Sequence, residues 1–268
     1  RDVERSRGLG DVYKRQNNMF SLYKKELRSY YCSPFAYIIA ALFLLVFSLS
    51  FINGISNLSG HQFKFSFPNV FYNNFFYFIL LIPMLTMRTF ADERKSGTEV
   101  LLMTSPLNVF QIVIAKFLAV STVFLMMLVL TLFYPLITVL TGEVIWSSLI
   151  CGYLGFFLWG LVCIAVGMLM SSFTESPIIA GILGEGAMII LIFIDNFKDS
   201  GLFTNLPKAA QIIGSFSTQE RFVSFSQGLF SIADLIFFIT STVLFVGFTI
   251  ISLSLIHISE PTRPLYIS

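Results

Sequence analysis

The chain has 268 residues, of which 56% are hydrophobic and only 12% are charged, and its mean hydropathy is +0.81. Soluble domains carry about 25% charged residues, so this composition excludes an ordinary water-soluble globule. Three cysteines and two histidines also leave too few ligands for a disulfide scaffold or a Cys/His metal site. We therefore expect an all-α integral membrane protein, because helices satisfy their own backbone hydrogen bonds in lipid.

The two ends of the chain are predicted to come from one DNA sequence that is foreign to the protein. Residues 6–16 can be back-translated as a string that ends in GATGTGTATAAGAGACAG, and the reverse complement of that string encodes residues 253–263 in frame. The string resembles a transposase-type sequencing-library adapter. We therefore exclude residues 1–18, as adapter and leader, and residues 253–268, as adapter, from arguments about the fold. The protein is predicted to occupy residues 19–252.

Excluding these ends changes the charge balance. The whole chain has 17 basic and 15 acidic residues, and eleven of each sign lie within residues 19–252. The formal net charge of that part is zero, so we expect no nucleic acid as a partner. His61 is then the one remaining histidine, and no metal site is predicted.

Six apolar runs are long enough to cross a bilayer, which takes about 20 helical residues. The third run is too long for one perpendicular crossing. Lys116 near its start predicts a cytoplasmic lead-in, with the amine reaching toward the inner headgroups, and Pro135 predicts a kink near its outer end. The runs lie at about 36–58, 71–87, 109–141, 145–170, 178–194 and 231–252.

Lysine and arginine near the ends of these runs indicate the orientation of the chain. An N-terminus in the cytoplasm places most of them on the inner side: Lys24, Lys25, Arg28, Arg88, Arg94, Lys95 and Lys116. The outer side then holds Lys64, Lys198, Lys208 and Arg221. Three of these outer residues belong to one longer loop, where the rule is weak. We therefore expect both termini in the cytoplasm.

Residues 19–33 show the periodicity of an amphipathic helix. One side is predicted to carry Phe20, Tyr23, Leu27, Tyr30 and Tyr31, and the other side carries the basic residues Lys24, Lys25 and Arg28. This pattern predicts an N-terminal helix that lies along the inner membrane surface before Pro34 turns the chain into the first span. The alternative is an ordinary positively charged N-terminus that precedes a first span.

The loop at residues 87–106, between the second and third runs, carries three basic and three acidic residues. We expect the second span to continue as a helix through Arg88 and Asp92 and to stop at Gly97, which suits the position after a helix C-cap. Glu93 and Arg94 lie on this extension and are predicted to contribute surface charge for docking.

A second, short helix is predicted to follow in the same loop. Thr98 suits its N-cap, and Glu99 in the first turn faces the positive end of the helix dipole. Leu101 and Leu102 supply its apolar side. A charged, capped helix between two membrane spans suits docking onto a cytosolic partner. The alternative is a solvated loop that only satisfies the positive-inside rule.

Three segments together resemble the permease subunit of ABC transporters of the second exporter class, most closely the gliding-motility-associated subfamily. They are residues 23–30, the loop at 87–106 with its Gly97-Thr98 and Leu101-Leu102 pairs, and residues 171–175 (Ser-Ser-Phe-Thr-Glu). The resemblance implies an exporter permease fold of six transmembrane helices with an elbow-like helix before the first span. It also implies that the loop contains a coupling helix that contacts the ATPase.

The same resemblance implies the partners and the location of the chain. A separate ABC ATPase subunit would bind ATP and Mg, and a second permease subunit would complete a homo- or heterodimer in the lipid of a bacterial inner membrane. The sequence contains no Gly-x-x-x-x-Gly-Lys-[Ser/Thr] phosphate loop, so we expect neither enzymatic activity nor a cofactor in this chain. The alternative function is an assembly or anchoring subunit that recruits cytosolic factors without transporting a substrate.

Two further features have open interpretations. Glu185 lies inside the fifth run, where an ionisable residue is costly. It either lines a substrate or proton path, or is a hydrogen-bonded carboxyl in helix packing made close by the neighbouring glycines. The outer segment at residues 196–230 either folds as short helices over the outer mouth or forms a loose loop.

Overall fold

The computed structural model describes residues 19–56, 67–98, 107–141, 144–199 and 217–259. All regular structure within these ranges is α-helical, which confirms the predicted helical class. In chain order the described helices are α1 (residues 19–32), α2 (Pro34–Ser56), α3 (Phe67–Phe75), α4 (Phe78–Thr86), α5 (Arg88–Lys95), α6 (Val109–Leu130), α7 (Phe133–Thr141), α8 (Trp146–Ser172), α9 (Pro177–Asp199), α10 (Thr218–Ser226) and α11 (Ile232–Ser259).

Helix α8 forms the centre of the bundle, and the other long helices surround it. In its most apolar window 67% of the residues are buried, against 17–39% for the other long apolar helices. A helix that is apolar on all sides is stable where all sides are covered. Glycines on α8 make room for aromatic rings, because a Cβ at Gly152 would overlap Phe71 and a Cβ at Gly160 would overlap Phe124.

Aromatic side chains fill the core around α8. The Phe78 and Phe156 rings meet edge to face with their centroids 4.5 Å apart. The Phe75 ring stacks on both Trp159 and Phe222, at 4.8 Å in each case. Such offset and edge-to-face pairs add to the burial of ring area. The phenylalanine-rich composition is therefore explained by a packed aromatic core.

The number of long apolar helices differs from the predicted six spans. Four helices of the described chain are long and apolar enough to cross a membrane: Pro34–Ile55, Val109–Leu140, Trp146–Ser172 and Ile232–Leu255. A fifth span results if α3 is joined to the helix Phe78–Lys95, from which it is bent by 57°. The predicted run 71–87 therefore has a break at residues 76–77 that its composition does not reveal. The predicted run 178–194 corresponds to the apolar stretch Pro177–Phe193 of α9, which is shorter than the four long apolar helices.

The third run is kinked where the sequence predicts a kink. Helices α6 and α7 are separated by a turn at residues 131–132, just before Pro135. Because Pro135 lacks an N–H, the carbonyl of Thr131 loses its regular α-helical partner and accepts a hydrogen bond from the Tyr134 N–H at 3.1 Å instead. The Tyr153 hydroxyl on α8 donates a hydrogen bond to that carbonyl at 3.1 Å. A local backbone bond and a tertiary contact thus together satisfy the carbonyl at the kink.

The described part of the segment 196–230 is folded onto the bundle. The Ser217 hydroxyl accepts a hydrogen bond from the Glu220 N–H at 3.2 Å and so caps α10. Phe222 and Phe225 of this helix are fully buried. This agrees with the short-helix interpretation for residues 217–226, whereas residues 200–216 lie outside the described residues.

Candidate functional site

The loop that the sequence singles out begins as a direct continuation of the second span. Met87 has helical backbone angles, so the chain passes from α4 into α5 without leaving the helical region. Helix α5 ends at Lys95, Ser96 is its C-cap, and Gly97 has a φ of 68°. The predicted helix stop at Gly97 is therefore confirmed.

Thr98 lies at the end of α5 in the structure. Its hydroxyl donates a hydrogen bond to the carbonyl of Glu93 at 3.3 Å and lies 2.9 Å from the Ser96 hydroxyl. The predicted second helix, with Glu99, Leu101 and Leu102, falls on residues 99–106 and lies outside the described residues. It stays a prediction.

Helix α5 separates its charged residues between two faces. Arg88, Asp92 and Lys95 are exposed, and the Arg88 and Asp92 charges are 3.9 Å apart. Glu93 and Arg94 are half-buried and point into the bundle. The sequence predicts one docking loop that contains all of these residues. The helix brings them together but gives Glu93 and Arg94 internal partners, which corrects their predicted role as surface charges.

One side of α5 is fastened to the end of α8. The buried Ser171 hydroxyl accepts hydrogen bonds from the N–H groups of Phe90 and Ala91, at 3.1 and 3.2 Å, and donates one to the carbonyl of Met87 at 3.0 Å. The Arg94 guanidinium donates to the carbonyl of Ser172 at 2.8 Å. The two serines that open the Ser-Ser-Phe-Thr-Glu motif therefore hold the base of the loop.

The other side of α5 meets a buried ammonium group. The Nζ of Lys116, on α6, lies 2.9 Å from Glu93 and 3.3 Å from Glu26, and it donates to the carbonyl of Thr89 at 3.0 Å. Only 1% of the Lys116 side chain is exposed. The prediction that Lys116 reaches the inner headgroups is therefore wrong. Two carboxylates compensate the cost of burying its charge, and they bind it inside the protein.

Helix α1 completes this arrangement by supplying Glu26. Its buried side is formed by Leu22, Glu26 and Tyr30, which recur every fourth residue. Leu22 packs in a small cluster with Ile112 and Ala115 of α6. Leu22 and Glu26 are not among the predicted site residues, although their spacing with Tyr30 is a signal for a buried helix face.

The predicted sides of α1 are only partly correct. Lys24, Lys25 and Arg28 are exposed, as expected, but so are Phe20 and Tyr31, with 54% and 42% of their surface accessible. The prediction placed these two rings on the same apolar side as Tyr23, Leu27 and Tyr30. The packed face of α1 is therefore rotated from the predicted one. It includes Glu26, because the Glu26 carboxylate forms an ion pair with the buried Lys116.

Tyrosine hydroxyls fix α1 to two other helices. The Tyr23 hydroxyl is hydrogen-bonded to the Thr122 hydroxyl of α6 at 3.0 Å. The Tyr30 hydroxyl donates to the carbonyl of Leu85 in α4 at 3.3 Å. Burial raises the pKa of Tyr30 well above its usual range, so the group remains a proton donor. Helices α1, α4, α5, α6 and α8 thus meet at one polar junction.

Glu185 lies apart from this junction, on α9. The predicted close approach of its neighbouring glycines is confirmed for two of them. A Cβ at Gly184 would lie 3.0 Å from Pro83, and one at Gly181 would lie 3.4 Å from Met87. Glu185 itself is half-buried, and it forms no hydrogen bond or ion pair with any residue that the structure describes. Its roles in a substrate or proton path and in helix packing therefore both stay predictions.

The comparison with known families agrees with the helical architecture. The profile described as "ABC-2 family transporter protein" matches residues 55–258. Among curated proteins, none matches the sequence. Within the described residues, no group of three or more histidine, cysteine or acidic side chains is placed to hold a metal ion. The profile covers most of the sequence, including α3 to α6 and the helices around α8, and the chain therefore belongs to the ABC-2 family of transporter proteins.

Proposed function

We propose that the chain is the transmembrane permease subunit of an ATP-driven ABC transporter of a bacterial inner membrane. It pairs with a second permease subunit and with a separate ATPase subunit, which binds ATP and Mg. The family membership supports a permease. The sequence motifs favour the gliding-motility-associated subfamily.

The observation that carries this proposal is the attachment of α5 to the rest of the bundle. Glu93 binds Lys116 of α6, which binds Glu26 of α1, while Ser171 of α8 binds the backbone of α5. A displacement of the loop at residues 88–106 would therefore act on α1, α6 and α8 together. A loop that only satisfied the positive-inside rule would need none of these contacts.

The exposed side of α5 supports a docking role. Arg88, Asp92 and Lys95 are exposed and alternate in sign along the helix. Such a charged surface suits a polar partner, and the charges would fix the register of the complex more than its affinity. In the proposed mechanism, closure of the ATPase pair pushes this surface, and the fastened helices tilt to open the permease to each side in turn.

We propose six crossings with both termini in the cytoplasm. The apolar part of α9, Pro177–Phe193, has a length of about 26 Å, which is at the lower limit for crossing a bilayer core of about 30 Å. The bent pair of α3 and α4 supplies another crossing. With the four long apolar helices this makes six, and it places α1 along the inner surface.

A charge exchange on α5 tests the proposed docking surface. The variant Asp92→Lys with Lys95→Glu keeps the net charge but reverses the pattern that the partner meets. Tagged permease is purified with its complex, and the recovered subunit is identified by its phosphate-binding loop. We expect recovery to fall, and to fall more at low salt, where charges are less screened.

The control is the equivalent exchange at the opposite end of the bundle. Arg221 and Asp234 form an ion pair at 2.9 Å there, and Arg221→Asp with Asp234→Arg also keeps the net charge. At matched membrane abundance this control should recover the ATPase subunit normally. Equal recovery for the α5 exchange and the unchanged protein would remove the exposed face of α5 from the interface.

A further inference from the structure

A polar pocket lies between α1, the start of α2 and α5. Its volume is about 310 Å³. The charged side chains that line it are Lys25, Glu26, Arg88, Asp92, Glu93 and Lys116. The contacts of α5 with α8 and the exposed Lys95 lie outside its lining, so the pocket is a separate feature of the same junction.

The charges of this pocket are balanced but arranged in two layers. In the interior, Lys116 is neutralised by Glu26 and Glu93. Nearer the solvent, Lys25 has 67%, Arg88 46% and Asp92 50% of its side chain exposed. Arg88 and Asp92 are 3.9 Å apart, which is too long for a hydrogen bond. Both signs of charge are therefore available to a ligand.

An apolar groove of about 150 Å³ adjoins the polar pocket. It lies between α2 and α6, and its lining includes Tyr37, Ala40 and Met127. Tyr30 and Ala36 line both the groove and the polar pocket. The charged residues of the pocket have no net charge, and the pocket shares a wall with an apolar groove. This combination fits a molecule with a zwitterionic headgroup and a hydrocarbon chain.

We propose that this site binds one zwitterionic phospholipid of the inner leaflet, phosphatidylethanolamine. Its phosphate is bound by Lys25 and Arg88, because guanidinium and ammonium groups form charge-assisted hydrogen bonds with phosphate oxygens. Its primary ammonium is bound by Asp92. One acyl chain lies in the groove between α2 and α6. Residues of this chain alone form the lipid site. Its position in the inner leaflet rests on the orientation proposed above.

The choice of lipid follows from Asp92. Phosphatidylglycerol carries the same phosphate but no cation, so its headgroup would place an anion near the Asp92 carboxylate without supplying a positive charge to it. Phosphatidylcholine has a cation without N–H donors, so it cannot form the hydrogen bond to that carboxylate. Phosphatidylethanolamine satisfies both signs of charge at the mouth of the pocket.

Native mass spectrometry of the purified permease, without ATPase, tests the proposal. The protein is delipidated and then offered equal amounts of phosphatidylethanolamine and phosphatidylglycerol. We expect one phosphatidylethanolamine per chain to be retained. Lys25→Gln should weaken its retention about tenfold, as expected for loss of a charge-assisted bond. The neighbouring exposed Lys24 does not line the pocket, so Lys24→Gln should retain the lipid.

A second matched pair tests the apolar part of the site. Ala40 lines the groove, whereas Ala41 is exposed on another face of α2. Ala40→Phe fills the groove and should reduce retention of the lipid, and Ala41→Phe should leave it unchanged. Asp92→Asn should remove the preference for phosphatidylethanolamine over phosphatidylglycerol without abolishing phospholipid binding.

Three outcomes would overturn the proposal. They are equal retention of both lipids by the unchanged protein, equal losses within either matched pair, and full displacement by soluble glycerophosphoethanolamine at the concentration of the lipid. The last result would show a site for a free phosphoester. ATPase docking is measured separately through the variants Gly97→Val and Gly97→Asn, because Gly97 lies outside the pocket lining, so failure of one proposal does not imply failure of the other.

Discussion

Lys116 shows how a single buried charge determines the packing of three helices. Its ammonium group is held by Glu26 of α1, Glu93 of α5 and the carbonyl of Thr89. Removing one partner of a buried ion pair is costly because it leaves the other charge uncompensated. Replacing Lys116 would leave two carboxylates facing each other. The stability of the junction should therefore depend on this residue far more than on the exposed lysines.

We expect Lys116→Met to destabilise the protein by about 3–5 kcal/mol, the range for breaking a buried pair. Thermal unfolding in detergent, compared with the exposed Lys24→Met as a control, measures this effect. The triple change Lys116→Met with Glu26→Gln and Glu93→Gln should recover part of the loss, because it removes the repelling charges. Equal stability of Lys116→Met and Lys24→Met would contradict the buried cluster.

Glu185 offers a different test at the same scale. Since it pairs with no described residue, Glu185→Gln should leave membrane abundance and the unfolding temperature unchanged. If the carboxyl acts in transport, ATP turnover by the reconstituted complex should fall at constant abundance. A parallel loss of abundance and turnover would assign the residue to helix packing instead.

Between elements, the packing of α8 against α4 depends on Gly167. A Cβ at this position would overlap the Thr86 side chain, which already donates a hydrogen bond to the carbonyl of Ile82. Gly167→Ala should therefore cost about 1–3 kcal/mol by overpacking. Gly186→Ala on α9 is the matched control, because nothing lies within 4 Å of the added Cβ.

Unfolding temperatures of these two alanine variants give the measurement. The control should be as stable as the parent protein or slightly more stable, because alanine favours helix. A Gly167→Ala variant that matched Gly186→Ala would show that α4 and α8 are not in close contact at this point.

The elements that sequence predicts best are those with a local chemical cause. Gly97 ends α5 because the left-handed conformation suits glycine, and Pro135 interrupts the third run because it lacks an N–H. The buried state of Lys116 and the rotated face of α1 were not predictable in the same way. They arise from Glu26, which is 90 residues away along the chain and meets Lys116 only in the folded bundle.

The break at residues 76–77 is another feature without a local signal. The apolar run continues through it, and periodicity alone treats residues 71–87 as one helix. In the candidate site, the loop and its charged residues were predictable from composition. Their division into an exposed face and a fastened face was not, since it depends on the Ser171 and Lys116 partners in other helices.

At the scale of the whole molecule, the ends of the chain carry a prediction of their own. If residues 1–16 and 253–268 are adapter-derived, resequencing the source DNA should recover neither segment next to the gene. Recovery of both segments in an intact genome would refute the adapter interpretation, and the predicted protein of residues 19–252 would then be revised.

The central claim for the whole molecule is that the loop at residues 88–106 couples the permease to a separate ATPase. Gly97 allows a direct test because its φ of 68° is needed for the turn. A Cβ added at this position would have no atom within 4 Å. A substitution there changes the backbone without a steric clash. Valine disfavours this conformation strongly, whereas asparagine tolerates it.

The most direct measurement is therefore recovery of the ATPase subunit with tagged permease carrying Gly97→Val or Gly97→Asn, at matched membrane abundance. Gly97→Val should lose the ATPase, because the loop leaves α5 in the wrong direction. Gly97→Asn should recover it at close to the level of the parent protein. Normal recovery by both variants would contradict coupling through this loop.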